Sequence, residues 1–79
     1  MKICFLDNSP IPYNSNDLNS KKIRGAENVI IHLSKELSIL NVKVEVFNAS
    51  SSSQIRNNVK WSNINNANQD MKYDYAFTN

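Results

Sequence analysis

Four consecutive apolar residues near the start, Ile3-Cys4-Phe5-Leu6, constrain this chain more than any other feature. Side chains alternate across a strand, so an unbroken apolar run asks for burial on both faces, as in a central parallel strand. The run is closed at once by Asp7. It is far too short for a signal-peptide core or a membrane span, so a cytoplasmic chain with no transmembrane segment is expected.

The pattern then lapses. Asn8 to about Arg24 holds Ser9-Pro10-Ile11-Pro12-Tyr13 and Asn14-Ser15-Asn16-Asp17, all loop chemistry. A loop this long inside a compact domain tends to be functional or disordered. From Gly25 to Leu40 helical spacing returns: Ala26, Val29, Ile30, Leu33, Leu37 and Leu40 form one apolar stripe, with Ile31 and Ile39 beside it. Glu27 falls in the first turn, where a carboxylate complements the free amides, and Asn41 is placed to stop the helix.

Val42 to Phe47 alternates as a strand with one buried face. Strand, helix and strand make a βαβ unit with parallel strands and a right-handed crossover. Asn48 to Asn58, with four serines in a row, reads as a loop. Val59-Lys60-Trp61 reads as a short third strand, Asn63 to Gln69 as a polar connector, and Tyr73 to Thr78 as a fourth strand. The fold class expected is α/β, a partial Rossmann-like parallel sheet with a βαβ unit followed by two short strands.

Size limits what these elements can do. A 79-residue chain buries only about 60% of the surface its unfolded form exposes. The single cysteine excludes an internal disulfide, and no Cys/His cluster offers a metal. One amphipathic helix leaves one face of the sheet uncovered, and the sequence ends on a strand. The expectation is an incomplete domain over residues 1–79, marginal by itself. The net charge of +2 comes from nine scattered Lys and Arg, a poor footprint for nucleic acid.

Ligands of α/β proteins sit beyond the carboxyl ends of parallel strands, so the long loop and the helix start are the place to look. Gly25, the only glycine, stands at that start, where it either admits a ligand to the backbone or merely starts the helix without steric cost. A dinucleotide fingerprint needs three glycines, and Asn48 occupies the position of its acidic residue. A phosphate-cradling G-x-x-x-x-G-K-[ST] loop is missing too. His32 lies beside the apolar stripe and reads as a surface or packing residue. Cys4 reads as a buried, inert thiol, and Trp61 as a packing residue. No acid-base pair, nucleophile-base pair or metal set is assembled by the sequence, and Asp7 alone makes no mechanism.

The opening Met1 to Pro10, the stretch Arg24-Gly25-Ala26-Glu27-Asn28, then Leu33-Ser34-Lys35-Glu36-Leu37 and Val42 to Phe47 resemble the N-terminal domain of retaining family-four glycosyltransferases. The resemblance spans roughly the first fifty residues, with Asp74 to Asn79 a less specific match to the fourth strand. It implies the N-terminal half-domain of a GT-B architecture: an acceptor-side domain facing an absent C-terminal donor-binding domain. It implies transfer of a sugar from a nucleotide-sugar donor, the co-substrate, to an unknown acceptor, with retention and with neither metal nor other cofactor. Gly25 matches the second glycine of the family's diphosphate turn, and Arg24 replaces the first. An arginine there either pairs with phosphate or is solvated. Asn8, Tyr13 and Asn79 border the acceptor side, although Tyr13 is equally placed to pin its loop. The alternatives from other classes are a free-standing small α/β interaction module and a truncated remnant without activity.

Overall fold

The computed structural model describes residues 1–17, 25–51, 53–67 and 72–78. Strand β1 (Lys2–Leu6) lies within a five-stranded sheet, flanked by β2 (Lys43–Asn48) and β5 (Tyr75–Thr78), both parallel to it. Beyond β2 comes β4 (Val59–Asn63), also parallel, and then β3 (Gln54–Arg56), antiparallel to β4. The order is β3-β4-β2-β1-β5. The apolar run largely meets the burial it asks for, since Ile3, Cys4 and Phe5 are buried and Leu6 is half-buried.

The two faces are built differently. Ile3, Phe5, Val44, Val46, Val59 and Trp61 share the face covered by helix α1 (Gly25–Ile39), which contributes Ile30 and Ile31 to one core cluster. The opposite face carries Cys4, Glu45, Phe47, Lys60 and Ser62 by register. It is not left bare. Phe47 is buried there, with the Tyr73 ring edge-on to it at 6.4 Å. The segment leading into β5 therefore covers part of the face that a single helix was expected to leave bare.

The span of α1 matches its periodicity, but the buried face does not. Glu27, Ile30, Ile31 and Ser34 are buried, while Val29 (61%), Leu33 (44%) and Leu40 (71%) stand exposed and Ala26 is exposed with them. The helix is turned by about one residue from its apolar stripe, roughly 100°. Ser34 explains part of this: it donates its hydroxyl to the Ile31 carbonyl at 3.0 Å, so it needs no solvent. Its small side chain then sits against the sheet where Leu33 was expected.

Asn41 stops the helix as its position implies. It takes φ 64°, its amide donates to the Ser38 carbonyl at 3.1 Å, and Val42 donates to Leu37 at 3.1 Å. That pair of bonds is the Schellman arrangement, and partly buried Leu37 and Val42 both pack on the core. Strand β2 consequently begins at Lys43 rather than Val42.

The stretch read as one loop from Asn48 to Asn58 contains β3. Arg56 pairs with Val59 across Asn57 and Asn58, whose φ values of 52° and 62° are left-handed. Two-residue hairpin turns of the right twist need positive φ, and asparagine tolerates it best among residues other than glycine. The third expected strand extends to Asn63, the connector after it opens with a short 3-10 turn at Ile64–Asn66, and the last strand begins at Tyr75, not Tyr73. No helix among the described residues is long and apolar enough to cross a membrane.

Candidate functional site at the carboxyl ends of the strands

Asp7, Asn48 and Asn63 stand at the carboxyl ends of β1, β2 and β4, and the loop after β1 folds back over them. Tyr13 is the residue that closes this edge. Its hydroxyl donates to Asp7 Oδ2 at 2.5 Å, and its carbonyl accepts from Asn48 Nδ2 at 2.8 Å and Ser50 Oγ at 3.3 Å. Its ring meets Trp61 edge-on at 5.6 Å. Asp7 Oδ1 accepts from the Ser9 amide at 2.9 Å, Asn48 Oδ1 from the Ser50 amide at 3.0 Å, and the Ser50 carbonyl from Asn63 Nδ2 at 2.7 Å. Buried polar groups are tolerable when paired in this way.

Burial, reinforced by the Asp7 hydrogen bond and by the Asp7 and Glu27 carboxylates, drives the Tyr13 phenol far above its ordinary value of 10.0. It stays protonated at neutral pH and serves as a donor, not as a base or nucleophile. Tyr13 is 2% exposed, while Asp7 and Glu27 are fully buried. A ligand over this edge meets none of the three directly. Of the two roles open for Tyr13, the geometry is that of a pin.

Asn8 is exposed beside Asp7, and Gly25 is exposed at the start of α1. A Cβ built on Gly25 meets no described atom within 4 Å, and its φ is not left-handed. Nothing in the chain's own described packing requires glycine there. Arg24 and Asn79 lie outside the described residues. His32 is exposed on α1, and Cys4 is buried, its thiol pushed up by burial and by the Glu45 carboxylate. Among the described residues no group of His, Cys, Asp and Glu is arranged to hold a metal ion.

A second polar cluster, which no motif of the sequence marks, lies on the opposite face. Glu45 accepts from Ser62 Oγ at 2.7 Å and from the Tyr73 hydroxyl at 2.5 Å, with Lys60 Nζ at 3.8 Å. Burial and this carboxylate hold the Tyr73 phenol well above its ordinary value. The available signal was a glutamate at the centre of a β-branched strand, opposite a lysine in the neighbouring one. Compared with known proteins, the chain matches no protein-family model, no curated protein and no solved structure.

Proposed function

We propose that this chain is the acceptor-side N-terminal part of a GT-B glycosyltransferase that transfers a sugar from a nucleotide-sugar donor to an acceptor. Gly25 carries the reading. It is the one glycine of the chain, it opens the helix that follows β1, and neither its φ nor any described neighbour accounts for it. A diphosphate approaching the backbone would. The parallel order β4-β2-β1-β5, with the helix between β1 and β2, supports the same reading at the level of the fold. Exposed Asn8 would then border the acceptor, and the family resemblance assigns Arg24 to the donor side and Asn79 to the acceptor side. The protein's part in the chemistry would be to position the acceptor and to stabilise the departing diphosphate.

The test is Gly25→Ala in the natural gene product carrying this segment, assayed for nucleoside diphosphate release from UDP-, GDP- and ADP-sugars. With no clash to meet, alanine should change stability by no more than about 1 kcal/mol. It should lower kcat/KM by about one to two orders of magnitude if backbone approach matters. No release from any donor, or release untouched by Gly25→Ala, would overturn the reading.

A second reading, a small α/β interaction module, draws on β5. All four of its residues are exposed, and Tyr75 and Phe77 stand 56% and 51% open on the helix side. That reading requires the 79-residue chain to unfold cooperatively by itself and to self-associate in sedimentation equilibrium.

A further inference from the structure

The amino ends of the parallel strands hold a feature with no part in that reading. A cavity of about 430 Å³ opens there, its walls including Lys2, Lys43, Lys60 and Lys72, with Glu45 and Tyr73. Lys2 and Lys43 begin β1 and β2, while Lys72 and Tyr73 immediately precede β5. Four of the nine basic side chains of the chain thus line one small space.

Among the described residues the local acids do not balance them. Glu45 already accepts from Ser62 and Tyr73, and among the described residues the cation within ion-pair distance of it is Lys60 at 3.8 Å. Asp74 sits nearby with Oδ2 taken by the Lys2 amide at 2.7 Å. Lys2, Lys43 and Lys72 have no carboxylate within ion-pair distance among the described residues. Like charges around a concave site repel one another and concentrate counter-anions. Ammonium groups suit phosphate as rotatable point charges. The volume falls in the range of about 300–1,000 Å³ usual for small-molecule sites.

We propose that this cavity is a binding site for a small phosphate-bearing anion, held by Lys2, Lys43, Lys60 and Lys72. It lies at the opposite ends of the strands from Gly25, so it stands or falls independently of the glycosyltransferase reading. Tyr73, anchored to Glu45, fixes the wall from which Lys72 extends.

Titration of the ¹⁵N-labelled natural gene product carrying this segment with inorganic pyrophosphate, at an ionic strength held near about 0.15 M, tests this. Saturable amide shifts are expected at Lys2, Lys43, Lys60, Lys72 and Tyr73, with exposed Lys35 on α1 unmoved. The double variant Lys43→Gln/Lys72→Gln, both exposed positions, should weaken binding by about tenfold or more, since each removes a charge-assisted contact. Lys35→Gln should leave it unchanged. A parallel titration with uridine diphosphate separates sources: tighter binding on the same residues identifies a nucleotide, weaker binding a free phosphate compound. Non-saturating shifts, shifts of equal size at Lys35, or affinity indifferent to Lys43→Gln/Lys72→Gln would overturn the proposal.

Discussion

Tyr13 ties the carboxyl end of β1, through Asp7, to that of β2, through Asn48 and Ser50, and Asn63 brings in the end of β4 by donating to the Ser50 carbonyl. Its ring belongs to the core beside Trp61, so its hydroxyl and its apolar body can be separated by mutation. Tyr13→Phe keeps the ring and removes the donor to Asp7. A loss of about 1–2 kcal/mol is expected, read as a lower urea midpoint with an unchanged slope. A variant as stable as the parent would show that the bond holds nothing in place. Gly25 is the converse case, a residue whose replacement should be nearly silent in stability and, under the proposed glycosyltransferase function, audible only in donor use.

At the scale of elements, α1 and the β3–β4 hairpin give opposite lessons. The rotated helix makes Ile31, 1% exposed, a core residue and Val29, 61% exposed, a surface one, against the order its apolar stripe implies. Ile31→Ala should therefore cost about 2–5 kcal/mol. Val29→Ala should stay within about 0.5 kcal/mol, because a surface change away from packing does little. Chemical denaturation of the two variants settles the face directly; a larger loss at Val29 than at Ile31 would mean that the helix sits on its stripe after all. In the hairpin, local backbone decides. Asn58 at φ 62° is a position that β-branched residues resist. Asn58→Val should lower stability by about 1–2 kcal/mol, whereas Asn58→Gly should hold or raise it, measured in the same way.

Over the whole molecule, three acids, buried Cys4 and Tyr13 and half-buried Tyr73, respond to alkali together. The Cys4 thiol is raised above its ordinary 9.0, and the Tyr13 and Tyr73 phenols above 10.0. An unfolded chain releases these protons first, so the native state binds more protons than the unfolded one and stability falls as pH rises. Their contribution is intact below pH 9 and is lost progressively above it. Urea midpoints should hold level near about pH 8 and drop by about pH 11, with Tyr13→Phe flattening the drop. Patterns carried by neighbouring residues were legible in advance: the limits of β1, the span of α1, the stop at Asn41 and the strand opening at Val59. Each depends on spacing or on one residue's own backbone preference. The helix face, the β3 pairing and the second-face cluster around Glu45 were not legible. Asn48 meets Tyr13 from 35 positions away, and Glu45 meets Tyr73 from 28. A polar side chain can be buried only where a partner removes its cost of leaving water, and that partner is chosen by how the whole chain folds.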